Sequence, residues 1–462
     1  MSAPLWTAAE LRVATSGSLA EVSVTGVSID SRSVAPGELF VALRDTRDGH
    51  DFVVDALARG AAAAMVDRDP PGVAPDAPLL RVGDTLEGLR ALGAAGRARS
   101  AARFAAVTGS VGKTGTKEML RLLLGALGPT HAASASYNNH WGVPLTLART
   151  PRGAAWAVVE IGMNNPGEIA PLARLARPHV AAVTTVEAAH IGHLGSLEAI
   201  AEEKGAIAEG LGPDGTAVLP RDNPFFDRLA ALARARGARV VGIGRDPRAE
   251  ARLVEAEASP QGTRLRLSLH GREIALRMPA VGLHHAANAA CALAVVEALG
   301  GDAAAAAPAL EAYAPGAGRG AAIPIRVPGG EAMLLDDSYN GQPAAMRAAL
   351  AALALRPAAR RVAVLGEMRE LGAHSAALHA ALAADAARAA DLVFCCGAGM
   401  APLFAALPAE KRGAHAPDSA ALAPLVRDAL RAGDAVLVKG SLGSRMKIVV
   451  EALTAEGGAR AA

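Results

Sequence analysis

The chain has 462 residues, enough for two to four domains with cores of their own. Hydrophobic residues make up 51% and aromatics only 3%, so alanine supplies the apolar character, which points to alanine-rich helices and away from membrane insertion. A net charge of +2 gives no electrostatic reason to expect nucleic acid, and three cysteines, Cys395 beside Cys396 and Cys291 far off, form neither a disulfide framework nor a zinc pattern.

The cysteines read as small buried hydrophobes in a reducing cytoplasm. The longest charge-free stretch, residues 392–409, is interrupted by Gly397, Gly399, Pro402 and Pro408, so no membrane span is expected. The first residues, MSAPLWTAAELR, lack the basic and apolar regions of a signal peptide.

Residues 1–103 read as a small α/β domain with strands at 22–29, 39–43 and 61–66 and a helix starting at Phe52. Two polar stretches, 30–33 (DSRS) and 45–51 (DTRDGHD), follow apolar strands, where ligand loops and solvated turns are equally at home. RARSAAR, residues 97–103, reads as a linker.

Residues 104–314 alternate strand and helix, the pattern of a mostly parallel sheet covered by helices. The segment opens with FAAVTGSVGKTGTKEMLRLLL, in which an apolar run leads through a small-residue loop into a helix with apolar Met119, Leu120, Leu123 and Leu124. Gly109 and Gly112 allow backbone N–H groups, with that of Ser110 between them, to turn toward an anion at a helix N-terminus. Lys113 would reach the β- and γ-phosphates and Thr114 would ligate Mg²⁺. The usual phosphate loop has four residues between its glycines and this one has two, so a strict pattern would miss it; a plain glycine turn, however, gives no reason for a lysine inside the loop.

Two later strands end on the same prospective edge. Residues 155–160 (AWAVVE) end in Glu160, and 180–186 (VAAVTTV) run toward Glu187 and His190. Ligands of open parallel sheets bind at the carboxyl ends of strands. A glutamate there beside a phosphate loop reads as a Mg²⁺ ligand, while His190 divides evenly between structural and functional roles. The helix after Ser196 carries Glu198, Glu202, Glu203 and Lys204, which by spacing form a solvated charged face. Near 284 an alanine-rich helix starts with His284, His285 and Asn288, which could cap the helix or read a base edge, capping being the reading the residues alone favour. APGAGRG, 314–320, marks a second linker.

Residues 315–462 form a third α/β unit, with DDSYN at 336–340, VAVLGE at 362–367, and further strands at 392–396 and 435–438, the last running into Lys439. The terminal EGGARAA is expected to fray.

Taken in order, DSRSVAPGELFVAL, DGHDF, TGSVGKT, YNNHWGVPLTL, EIGMNNPGEI, AAHIGHLGSLEAIAEEKGAI, LLDDSYNGQPAAM, LGEMRELG and VLVKGS resemble the Mur ligase family over nearly the whole chain. These are the ATP-dependent amide-forming enzymes of bacterial peptidoglycan precursor synthesis, and the short phosphate loop is the family's form. The resemblance is strongest to the branch that adds D-alanyl-D-alanine to UDP-N-acetylmuramoyl-tripeptide.

It implies a monomeric cytoplasmic enzyme using ATP and Mg²⁺, with three domains: a UDP-substrate domain, a central ATP-binding domain and a Rossmann-like domain that closes over the nucleotide. It further implies that Lys113 and Thr114 serve the phosphates and Mg²⁺, that Glu160 and His190 belong to the metal site, and that Lys204 is the lysine carbamylated in relatives, reversing the charged-face reading. Asn288 matches an adenine contact, Arg319 a phosphate contact and Asp337 a ribose contact. Ser31 and Arg32 match the uridine pocket, and Asn138 and Asn139 the muramoyl-peptide contact. Two places depart from the pattern: His285 stands where many relatives have asparagine, and the linker reads PGAGRG where relatives have PGR. A sister ligase that adds a single amino acid would carry Asp-Asn-Pro-Arg in its last domain, whereas here DNP occurs only at Asp222, followed by Phe225. Folate polyglutamylation shares the central fold without the first domain. A nucleotide-driven switch would need a partner surface that the sequence does not propose.

Overall fold

The computed structural model describes residues 4–455, so the terminal EGGARAA lies outside the described residues. The strands gather into three sheets. The first is four-stranded and parallel, in the order β1 (Gly26–Ser28), β2 (Glu38–Val41), β3 (Ala63–Val66) and β4 (Leu79–Arg81).

The second sheet has nine strands: β5 (Arg103–Thr108), β6 (Thr130–Ala132), β7 (Trp156–Glu160), β8 (Val180–Val183), β9 (Thr216–Pro220), β10 (Arg239–Gly244), β11 (Ala251–Ser259), β12 (Gly262–Leu269) and β13 (Arg272–Met278). Their order is β13-β12-β11-β10-β9-β8-β5-β7-β6. From β6 to β11 the pairing is parallel; β11, β12 and β13 form an antiparallel ribbon on one side. The third sheet runs β14-β15-β19-β16-β17-β18, comprising β14 (Ala321–Val327), β15 (Gly330–Asp337), β16 (Arg360–Gly366), β17 (Leu392–Cys396), β18 (Arg412–Ala416) and β19 (Asp434–Lys439). It is parallel apart from the β14–β15 hairpin. The mixed α/β architecture with large, mostly parallel sheets matches the expectation.

Several local readings need correction. RARSAAR is not a free linker, because the helix Thr85–Arg99 runs through its first half and β5 begins at Arg103. Arginine propagates a helix well, and Arg97 and Arg99 tie its end down by donating to the carbonyls of Ala176, Arg177 and Leu5. The strand expected at 22–29 shrinks to three residues, and that at 180–186 stops at Val183 because Thr184 turns its hydroxyl to the Val111 carbonyl, 2.5 Å away. The alternation of strand and helix hid the β11–β13 ribbon.

The first two units share a core. Every residue of the helix Gly142–Ala148 is buried, and Leu145 and Ala148 pack with Trp6, Leu11, Leu89 and Leu92. The Trp6 indole donates to the Ala148 carbonyl at 2.9 Å, and Arg149 donates to Val27 at 2.5 Å. Cys291, Cys395 and Cys396 are free and buried. Among the described residues, no helix is long and apolar enough to cross a membrane.

Candidate active site

β8, β5 and β7 lie side by side, with Val107 opposite Glu160 and Thr108 opposite Val183, so the loops leaving their carboxyl ends share one edge. The loop after β5 is set by two glycines. Gly109 has φ +144° and a Cβ there would lie 1.9 Å from the Thr184 hydroxyl; Gly112 has φ +88° and a Cβ would lie 2.5 Å from Asn288 Oδ1. Only glycine fits both the conformation and the space. Ser110 is buried, its hydroxyl donating to the Glu187 carbonyl and accepting from the Glu187 N–H. Lys113 opens the helix Lys113–Gly125, and its ammonium donates to the Gly109 carbonyl at 2.7 Å across the loop. Enclosure pushes its pKa down, Glu160 opposes that, and Arg319 adds to it.

Glu160, 1% exposed at the end of β7, is the hub of the edge. Its carboxylate accepts from the Thr114 hydroxyl at 2.9 and 3.1 Å and from the Asn138 amide at 2.7 Å. Ser136 Oγ lies 3.3 Å from Thr114 Oγ1. Hydroxyls, an amide and one carboxylate are the donors a hard cation prefers. Among the described residues no group of three or more His, Cys, Asp or Glu side chains gathers as a protein-only metal cage. With one carboxylate and two hydroxyls at hand, the residues present fit Mg²⁺, which is held by one or two carboxylates together with phosphates and water.

These groups line a cavity of about 770 Å³ between the second and third sheets. Its walls include Gly112, Lys113, Thr114, Asn138, Asn139, Glu160, His190 and Asn288 on one side and Arg319, Asp337 and Lys439 on the other. The linker is pinned where it crosses: Asp336 accepts from the Gly318 N–H at 2.9 Å, and the Gly320 N–H donates to the Asp336 carbonyl. This places the Arg319 guanidinium over the Tyr339 ring, where it donates to Ser136 Oγ at 2.7 Å. Asp337 accepts from the buried Lys439 ammonium at 2.7 Å.

The remaining expected residues are placed as follows. Asn139 lines the cavity, but its side-chain oxygen accepts from the Gly142 N–H at the start of the next helix. Ser31 and Arg32 sit on the first unit, away from the cavity lining; Ser31 is buried, and the Arg32 guanidinium is paired with Asp30. Lys204 is 1% exposed behind the cavity, and burial, reinforced by the charge of Lys113, holds its amine well below the ordinary lysine range. The charged-face reading therefore holds for the exposed Glu198 and Glu202 and fails for Lys204 and for Glu203, which is buried too, accepting from the N–H groups of Gly167 and Ile169 at 2.7 and 2.8 Å. The capping reading near 284 also fails. Gly282 is the N-cap with no side-chain cap, His285 is buried, and Asn288 faces the phosphate loop.

Two residues that the sequence reading did not single out support the site. Lys117, one turn beyond Lys113, is fully buried and donates to the carbonyls of Ala133 and Ala135 at 2.6 and 3.2 Å, fixing the segment that carries Ser136 and Asn138. A lysine among the apolar positions of that helix was the available signal. Glu370, in the third unit, pairs with His190.

Comparison with known proteins gives three family matches along the chain: "Mur ligase family, catalytic domain" over residues 23–97, "Mur ligase middle domain" over 107–296, and "Mur ligase, glutamate ligase domain" over 325–442. The chain is 35% identical over 454 residues to the UDP-N-acetylmuramoyl-tripeptide–D-alanyl-D-alanine ligase of Escherichia coli K12, covering 95% of each chain. Among solved structures it is similar to MurF from Acinetobacter baumannii, with a TM-score of 0.84 and 30% identity over 97% of this chain and 98% of that one. It is also similar to the MurF ligase of Thermotoga maritima in complex with ADP, with a TM-score of 0.76 and 26% identity over 94% and 98%.

Proposed function

The chain belongs to the Mur ligase family, and from that premise we propose that it joins D-alanyl-D-alanine to UDP-N-acetylmuramoyl-tripeptide at the expense of ATP. The observation that carries this reading is the meeting of phosphate loop, Glu160 and the third unit's Arg319, Asp337 and Lys439 around one cavity.

A carboxylate is a poor electrophile, so amide formation in water needs activation. A carboxylate oxygen of the tripeptide attacks the γ-phosphorus of ATP, ADP leaves, and an acyl phosphate forms. The dipeptide amine then attacks the acyl carbon, giving a tetrahedral intermediate that expels phosphate and releases a proton. Phosphoryl transfer of this kind is mostly positioning and charge neutralisation. Thr114 and Glu160 would hold Mg²⁺, which would supply Lewis acidity there. Lys113 contributes the positive charge at the centre of the loop, and Asn138 orients Glu160. Arg319 brings a second cation in from the linker, with its direction set by Tyr339 and Ser136. In this reading Asn288 and Asp337 receive the adenosine moiety, His190 completes the metal site, and Ser31 and Arg32 meet the uridine end. Docking of the third unit excludes water from the acyl phosphate.

The domains proposed are 1–103, 104–314 and 315–462. Lys204 supports a carbamate role because its pKa is depressed, and only a neutral amine adds to CO₂, releasing a proton as the carbamate forms. We place the reaction in the cytoplasm, where ATP and a nucleotide-linked precursor would be available.

The deciding experiment measures phosphate release from ATP with UDP-N-acetylmuramoyl-tripeptide, comparing D-alanyl-D-alanine with single amino acids. Release that depends on the dipeptide is the expected result. Release driven by a single amino acid would move the assignment to a sister ligase, and release indifferent to every acceptor would refute it.

A further inference from the structure

Two residues with left-handed backbones meet where the second and third units touch. His190 has φ +61° and Glu370 has φ +65°. Histidine visits that region more readily than most residues but glutamate does not, and such conformations persist where the surrounding structure enforces them. His190 Nδ1 pairs with the Glu370 carboxylate, and the Gly192 N–H donates to the Glu370 carbonyl at 2.9 Å. The backbones approach so closely that a Cβ on Gly192 would lie 2.6 Å from the Gly372 nitrogen. One joint thus engages side chain and main chain of Glu370 together, and both partners line the cavity.

We propose that Glu370 is a positioning residue that acts from the third unit on His190 of the second. A carboxylate packed against Nδ1 sets how the ring sits at the cavity wall, as partners behind metal-site histidines do. The main-chain bond to Gly192 holds the carboxylate at that distance. His190 therefore reaches its working orientation only when the third unit is docked, which ties activation of the carboxylate to exclusion of water. This inference rests on the ligase reading for its kinetic arm alone.

The test uses Glu370→Ala and Glu370→Gln in the full chain, each also combined with His190→Ala. In an otherwise wild-type background Glu370→Ala should lower kcat about 10- to 100-fold, with KM for ATP and for the UDP substrate changing by less than about threefold. In the His190→Ala background the same change should cost no more than about twofold, because the carboxylate has lost what it positions. Independently of turnover, ¹H–¹⁵N correlation of the histidine ring nitrogens should show a His190 signal, assigned by its loss in His190→Ala, that moves in Glu370→Ala. Should the alanine variant fail to fold, Glu370→Gln, of the same shape, carries both arms. Equal losses in the two backgrounds, or an unmoved His190 signal, would overturn the proposal. Absence of dipeptide-dependent turnover in the wild type would instead refute the ligase reading and leave the spectroscopic arm decisive.

Discussion

Replacing Lys117 by methionine isolates what one buried ammonium does. The side chain is 1% exposed and makes three contacts: Ala133 carbonyl at 2.6 Å, Ala135 carbonyl at 3.2 Å and Glu118 at 2.9 Å. Methionine nearly conserves the volume, so the cavity cost is small. Ala133 is buried, and stripping its carbonyl of a donor costs about 1–3 kcal/mol. Ala135 is exposed and water replaces the ammonium there; Glu118 keeps Arg121 at 2.8 Å. The net destabilisation is therefore about 1–3 kcal/mol, set by a single carbonyl. Urea unfolding followed by fluorescence of Trp141 and Trp156, both in the second unit, should show a lower midpoint at unchanged slope. The freed segment carries Ser136 and Asn138, so kcat should fall about tenfold, the size of a 1.4 kcal/mol loss in the transition state. A variant with the wild-type midpoint and turnover would refute the claim that this ammonium holds the segment in place.

Lys113→Ala should lower kcat at least ~10²-fold, as loss of a charge-stabilising donor does, with the UDP substrate still binding when measured by calorimetry. Burial lowers the pKa of His131, His179, His285 and His379 below 6.5. The unfolded chain therefore takes up more protons, and their contribution to stability is complete above about pH 6.5 and lost as pH falls below it. The urea midpoint should drop between pH 7 and 5, less steeply in His285→Gln; a flat profile would contradict the burial. In ¹³C-bicarbonate, a carbamate resonance should appear in the wild type and vanish in Lys204→Gln, and its absence from both would remove the carbamate role.

The phosphate loop was legible in the sequence because its signals are local: apolar strand, paired glycines, lysine, amphipathic helix. Glu160 and His190 were legible through strand ends, since a parallel sheet brings those ends to one edge whatever their separation along the chain. Burial imposed by another layer was not legible. Lys204 and Glu203 look like a charged helix face until the loop at 163–168 is laid over Glu203, and His285 looks like a cap until Tyr313 packs edge-on against it. Glu370 escaped because its partner lies 180 positions away in another unit, joined by no periodicity. The β11–β13 ribbon escaped because an alternating strand–helix rhythm was carried past the point where helices stop.

The helix Gly142–Ala148 serves the cores of two units at once, so those units cannot shift against each other without opening both. On the proposed reading, with the uridine end of the substrate held on the first unit and its carboxylate delivered to the loop of the second, the distance between the two holds would be built in. Such a fixed span would work as a gauge: a peptide stem of the right length would bring its terminal carboxylate to the loop, while a shorter stem would stop short however well its nucleotide bound. Discrimination by stem length would then need no contact with the residues in between.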